Sequence, residues 1–134
     1  VKTTLSHLQV NIDPANLPFY RELFAFLGWV LLWDQEEVLG VGAGNEASAW
    51  FVASKNGESN DYDGPGVNHI GIGAGSVADV DAAARYLADH NVPALFDTPR
   101  HRPEFASAPD QTYYQVMFES PDRVLFEVVY AGPK

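Results

Sequence analysis

Residues Leu5 to Ile12 alternate strictly, with Leu8, Val10 and Ile12 on one face and His7, Gln9 and Asn11 on the other. That is the period of a half-buried strand. After Asp13-Pro14, the residues Leu17, Tyr20, Phe24 and Leu27 recur at three- to four-residue spacing until Gly28, which predicts an amphipathic helix over 15–27. Three short apolar runs follow at about 29–34, 37–42 and 47–53, with Gly40, Gly42 and Gly44 weakening the middle one and marking its turn. Residues 54–66, SKNGESNDYDGPG, are polar and turn-rich and read as a surface connection.

The pattern then starts again. Val67 to Ala74 alternates, placing Ile70, Ile72 and Ala74 opposite His69, Gly71 and Gly73. Ser76 and Asp79 make a capping-box-like start, and Val80, Ala83, Ala84 and Leu87 give the apolar stripe of a second helix over 77–89. A short strand near 94–96, a loop over 97–111 and strands at about 113–118 and 124–129 complete this half, the last two joined by the turn Ser120-Pro121-Asp122-Arg123. The two histidines are offset by 69 − 7 = 62 residues, and the longer loop raises the offset to about 76 at the final strand, which equates Phe51 with Glu127. The expectation is an α+β fold of two tandem βαβββ modules, one about 4–53 and the other about 67–130, joined by 54–66 in a single domain.

Composition narrows the classes. Hydrophobic residues are 46% and charged ones 19%, the balance of an ordered chain. Eight basic against eighteen acidic residues give 8 − 18 = −10, with no Lys/Arg run, so nucleic acid is not expected as a partner. No apolar run exceeds five residues, as at Trp29 to Trp33, far short of the ~18 residues that cross a bilayer. No signal-peptide pattern opens the sequence, and a cytoplasmic protein without a membrane span is expected. With no cysteine, any metal must sit on His, Asp or Glu.

Three strands carry a metal-capable side chain on the face opposite the large apolar residues: His7, His69 and Glu127. Glu127 sits among Val124, Leu125, Phe126, Val128 and Val129, where an unpartnered carboxylate would cost several kcal/mol or neutralise itself. Two imidazoles and a carboxylate form the facial set that holds a divalent ion and leaves positions open for a ligand. The competing reading is ordinary: two satisfied histidines and a Glu paired with an Arg.

Gln9 and Asn11 are expected on the same cavity face as hydrogen-bonding groups, with Phe51 as apolar wall. Tyr114 lies two residues from Val116, which a tight hairpin would set across from Glu127, so Tyr114 is a candidate proton donor or orienting group. Arg100, His101 and Arg102 fall in the long loop, where a rim could meet an anionic substrate or simply be solvated, with the two arginines as substrate-binding candidates and His101 as a catalytic one. His90 at the end of the second helix reads as structural. Trp29, Trp33 and Trp50 read as core or interface residues.

The paired modules opening with His-Leu-Gln-Val and His-Ile-Gly-Ile, and the ending Ser120-Pro121-Asp122-Arg123 before Phe126-Glu127, resemble the vicinal oxygen chelate superfamily of glyoxalases, extradiol dioxygenases, fosfomycin-modifying transferases and bleomycin-binding proteins. The resemblance covers about 4–130, with Ser120 and Arg123 departing from the usual Asp-Pro-Asp-Gly turn. It implies a curved sheet around a cavity, a homodimer, and a divalent ion (Fe, Mn, Zn or Ni) on His7, His69 and Glu127. Glyoxalase I-type members carry a fourth ligand on the last strand of the first module, and Ala47 to Ala53 offers none. The resemblance therefore implies a metal-dependent enzyme acting on a small oxygenated substrate, with dioxygenase-like chemistry foremost and a lyase or thiol transferase behind it. The alternative from another class is a protein that sequesters a small molecule, such as an antibiotic, without turnover.

Overall fold

A computed structural model describes residues 1–44 and 47–134, which fall into two compact units, 1–59 and 60–134. The first unit is built from β1 (His7–Ile12), α1 (Leu17–Phe26), β2 (Val30–Gln35), β3 (Val38–Gly42) and β4 (Ser48–Ala53). The second repeats the order with β5 (Ile70–Gly73), α2 (Val77–Asp89), β6 (Leu95–His101), β7 (Gln111–Glu119) and β8 (Leu125–Pro133). Each unit holds a four-stranded mixed sheet, in the orders β1-β4-β3-β2 and β5-β8-β7-β6, with the first pair of each parallel. The α+β architecture of two βαβββ modules is thus present, as two four-stranded sheets.

Both helices begin and end where local chemistry requires. Pro14 and Pro18 lack N–H donors, so the expected helix over 15–27 opens instead as a 3-10 turn at Pro14–Asn16, capped by the Asp13 carboxylate, and α1 starts at Leu17. Gly28, at φ +81°, closes α1 in a Schellman turn, with Trp29 N–H donating to Phe24 C=O and Gly28 N–H to Ala25 C=O. The Trp29 ring packs edge-on against Phe24 at 5.0 Å, the apolar contact that goes with such an end. α2 is capped by Ser76, whose hydroxyl accepts from Asp79 N–H, and closes the same way: Asn91 at φ +57° takes the glycine position and Val92 N–H donates to Leu87 C=O. His90 stacks on Tyr86 at 3.9 Å, with Nδ1 2.7 Å from the Tyr86 carbonyl, consistent with a structural role.

One face of each sheet packs on its helix. Tyr20, Leu23 and Phe24 of α1 cover Leu39, Val41 and Phe51, and Val80, Ala83 and Leu87 of α2 lie in the core with Val116, Phe118, Phe126 and Val128. Phe51 is fully buried, stacked on Tyr20 at 4.4 Å and tilted against Phe24 at 5.3 Å. Its expected place as a cavity wall is corrected: it belongs to the helix-side core. The register gives the reason. Gln9 pairs with Trp50 and Gly71 with Glu127, so the offset at the last strand is 127 − 50 = 77 and Trp50 is the counterpart of Glu127. A one-residue error in the offset moves a side chain to the other face.

The sheet of the second unit also departs from expectation. The 97–111 loop is shorter than expected because β6 runs to His101, followed by a single 3-10 turn at Pro103–Phe105. Residues 60–62, expected as part of a surface connection, are bound to this unit: Asn60 donates to the Arg123 carbonyl and Tyr62 Oη donates to Glu119 at 2.8 Å.

Candidate functional site

The face of the second sheet turned away from α2 carries a concavity of about 550 Å³. Glu127 of β8 lies on its floor, 3% exposed, directly opposite Met117 of β7. The strand order makes this possible: β8 runs between β5 and β7, so a side chain at its middle can be held from both sides. From β7, Tyr113 Oη donates to Glu127 Oε1 at 2.5 Å and Gln115 Nε2 donates to the same oxygen at 2.7 Å. Gln115 Oε1 in turn accepts from the Arg102 guanidinium at 3.4 Å, and Arg102 is held by Glu104 at 2.7 Å. Tyr113 has its pKa pushed up to about 12, first by burial, then by its hydrogen bond to Glu127 and the charge there, against a lowering by Arg102. Its phenol therefore keeps its proton at neutral pH and serves as a donor.

The other carboxylate oxygen meets His69, which stands just before β5. His69 Nε2 lies 3.0 Å from Glu127 Oε2, and the imidazole is 40% exposed to the concavity. Its protonation pattern follows from its neighbour. Asn68 Nδ2 donates to the Tyr62 carbonyl at 2.9 Å, which turns Asn68 Oδ1 toward His69 Nδ1 at 2.8 Å. An amide oxygen can only accept, so Nδ1 carries a hydrogen, and in the neutral ring Nε2 is a bare lone pair aimed at a carboxylate oxygen. Two acceptors at that distance need one positive charge between them: a proton, giving an ion pair, or a metal cation. The separation suits either, since two ligands at right angles on an ion with bonds of ~2.1 Å are roughly 3 Å apart. The pair fits as part of a metal-binding set. Among the described residues of this unit, no third His, Asp or Glu joins them as a group.

The other expected residues are distributed as follows. Arg102 lines the concavity with His69 and Glu127. Arg100 pairs in register with Gln115, but its guanidinium extends to Asp97 at 3.8 Å and it is not among the lining residues. Tyr114 is a correction: its hydroxyl donates to Asp81 of α2 at 2.7 Å, on the helix side, and that bond is the main cause of its raised pKa. His101 pairs with Tyr114 in register and shares its face, with Nδ1 2.6 Å from Thr112 Oγ1, so it too stands outside the concavity. The displacement of Tyr114 follows from the hairpin register, in which Met117 rather than Val116 lies across from Glu127, and that of His101 from the extension of β6, which pairs it with Tyr114. His7, Gln9 and Asn11 lie on the exposed face of β1 in the first unit, where Gln9 donates to Asn11 at 3.0 Å and His7 Nδ1 is 3.0 Å from Ser6 Oγ.

Sequence reasoning missed Tyr62, Asn68, Phe96, Phe105, Tyr113 and Gln115, all of which line the concavity. Tyr113 and Gln115 share the parity of Met117 along β7 and were hidden by the tight-hairpin register that sets Val116 across from Glu127. Tyr62 had none, lying in a segment that reads as linker.

The first unit differs at the matching position. Trp50 lies over Gly40, where an added Cβ would come within 2.5 Å of the indole, and its Nε1 donates to Ser48 Oγ at 3.0 Å. An indole thus fills the position that carries Glu127 in the second unit.

Comparison with known proteins agrees with this architecture. A protein of Bacillus halodurans named as a candidate glyoxalase superposes with a TM-score of 0.77 at 23% identity, over 95% of each chain. The fosfomycin resistance protein FosX of Listeria monocytogenes, solved with Mn(II) and sulfate, gives 0.68 at 15% identity over 97% of this chain and 91% of that one. TnmS3, an antibiotic binding protein of Streptomyces sp. CB03234, gives 0.64 at 18% identity over 98% of each. At such identities the likeness is one of fold. No curated protein matches in sequence. Among the described residues, no helix is long and apolar enough to cross a membrane. The sequence model that matches residues 4–128 is that of the Glyoxalase/Bleomycin resistance protein/Dioxygenase superfamily, and the chain belongs to that superfamily.

Proposed function

We propose that the chain is a divalent-metal-dependent enzyme that takes a small oxygenated molecule into the concavity of the second unit. The observation that carries the reading is the approach of His69 Nε2 to Glu127 Oε2 at 3.0 Å with Nδ1 already committed to Asn68. Glu127 and His69 are the proposed donors, and His7 enters as a third donor through the family resemblance. The bound ion would supply Lewis-acid polarisation of a substrate oxygen. The remaining work falls to the chain: Asn68 fixes the His69 ring, while Tyr113 and Gln115 hold one carboxylate oxygen and leave the other facing His69. Arg102, tied to Glu104, places a positive charge on the cavity wall.

Metal content by mass spectrometry on protein purified without a histidine tag tests the proposal, comparing wild type with His7→Ala, His69→Ala and Glu127→Ala. Near-stoichiometric divalent metal, lost in the His69 and Glu127 variants, is the expected result; the His7 variant decides whether that histidine is a ligand. Oxygen uptake with a vicinal diol then separates dioxygenase chemistry from lyase or transferase chemistry. Wild type that takes up no Fe(II), Mn(II), Zn(II) or Ni(II) would overturn the proposal. The His69–Glu127 contact would then be an ion pair, and the concavity would be the binding site of a sequestering protein like the antibiotic binder among its structural neighbours.

A further inference from the structure

β6 does not pair evenly with β7. Leu95 pairs with Met117 and Arg100 with Gln115, so residues 96–99 stand against Val116 alone and bulge out of the ladder. The bulge is closed rather than loose: Thr98 Oγ1 donates to the Leu95 carbonyl at 2.6 Å and accepts from Met117 N–H at 3.0 Å, replacing a missing ladder bond. Inside it, Phe96 and Asp97 both adopt left-handed backbone, at φ +57° and +58°. Phenylalanine is a poor choice there, since its Cβ crowds the backbone where glycine would not. Yet the ring is not used as core. Phe96 is 53% exposed and lines the concavity, as does Phe105, 57% exposed, which rests edge-on against Tyr113 at 5.5 Å with the Arg102 guanidinium over its ring at 5.3 Å.

A strained residue that keeps a large apolar ring in water, on the wall of a cavity, is being held for something that enters the cavity. We propose that Phe96 and Phe105 are specificity-determining walls for a planar aromatic ring, and that the ring carries an anionic oxygen group met by Arg102. The volume of about 550 Å³ accommodates a one- or two-ring molecule. The lining also carries the carboxylates of Asp63 and Glu127, so Arg102, the one Lys or Arg among the described lining residues and held by Glu104 from one side, is the point at which a carboxylate or phenolate on the ring would be met. The inference rests on the proposed function, since it names the substrate class of the same site.

Calorimetric titration of wild type with 2-naphthoate, decahydro-2-naphthoate and 2-naphthylmethanol separates ring from charge. The aromatic acid should bind at least about fivefold more tightly than its saturated analogue, as expected for ring-on-ring contact, and more tightly than the alcohol. In Phe96→Gly the preference for the aromatic ring should fall to about twofold or less, while Tm stays at or above wild type because glycine accepts the left-handed backbone. A ring kept for packing would instead lower Tm by several degrees. Phe105→Ala provides a second, independent loss of ring preference, and Arg102→Gln should abolish the preference for acid over alcohol. Equal binding of the aromatic and saturated acids, or unchanged affinities in Phe96→Gly, would overturn the proposal. Metal content read on the same samples keeps the two ideas apart. Metal bound without ring preference refutes only this inference, and ring preference without metal refutes only the metal-dependent reading.

Discussion

Tyr113→Phe removes one hydroxyl and tests how Glu127 is held. In the folded chain the phenol is pushed up to about 12 from an ordinary value of 10.0, a difference of about 2. Burial is the largest cause of that rise and disfavours the phenolate without stabilising the neutral phenol, so the loss at neutral pH is that of the hydrogen bond to Glu127. A hydrogen bond to a charged acceptor is worth ~1.5–3 kcal/mol, and for a half-buried ring the lower end applies, ~1.5 kcal/mol. Urea unfolding followed by tryptophan fluorescence at pH 8 should show this loss, and thermal unfolding a fall of about 4–7 °C. The pH dependence has a definite sign. A raised folded pKa contributes stability that is complete below the unfolded value near 10 and lost as pH rises through about 12, so the gap between wild type and variant should be constant up to pH ~10 and close by pH ~12. In a Glu127→Gln background the bond is between neutral groups, and the same substitution should cost only ~0.5–1 kcal/mol. A variant within ~0.5 kcal/mol of wild type at pH 8, or a gap that persists unchanged at alkaline pH, would refute the account.

Glu127→Gln itself should keep or raise the stability of metal-free protein, because the amide oxygen can still accept from Tyr113 and Gln115 while its NH2 faces the His69 lone pair. Divalent-ion affinity, read by calorimetric titration, should fall by at least ~100-fold. Tyr114→Phe should cost ~1 kcal/mol through the lost bond to Asp81 and leave metal and ligand affinities unchanged, which checks its placement on the helix side by titration of the purified variant. Gly40→Ala should displace the Trp50 indole, which an added Cβ would approach to 2.5 Å, costing ~1–3 kcal/mol with a change in tryptophan emission.

The elements were legible because period and punctuation agreed: α2 spans Val77–Asp89 as expected from Ser76 and its apolar stripe, and the repeat showed in the two histidines. The faces of β4 and β7 were less legible, for one physical reason. Ser120 N–H donates to the Val124 carbonyl and Arg123 N–H to the Ser120 carbonyl, with Arg123 at φ +58°. That is a three-residue hairpin loop whose last residue is left-handed, one residue longer than a tight turn would be. Nothing in Ser-Pro-Asp-Arg announces that an arginine will take the usual glycine position. The extra residue shifts Glu127 from Val116 to Met117, which takes Tyr114 out of the concavity and brings in Tyr113. His69 and Glu127 could be found because strand alternation exposed them. Phe96 could not, because a bulge obeys no alternation.

The duplicated scaffold also explains why the carboxylate occurs on one sheet only. At Trp50 the neighbouring strand offers Gly40 directly across, and Val38 where the second unit has Gln115, so neither of the β7-type donors to Glu127 has an equivalent. A glutamate at that position would meet an apolar strand, and Trp50→Glu is therefore expected to be destabilising by ~2–3 kcal/mol at neutral pH, beyond the loss of the indole contacts. Its folded pKa would be raised above the unfolded value near 4.3, so the added cost should vanish below pH ~4 and grow as pH rises through the folded value. Unfolding at pH 4 and pH 8 reads the difference, and an equal deficit at both would mean that the first sheet can solvate or pair a carboxylate after all. The same reasoning applied to β8 makes Gln115 and Tyr113 conditions for Glu127 rather than embellishments of it: what distinguishes the two units chemically is as much the donors on the adjacent strand as the acid they hold.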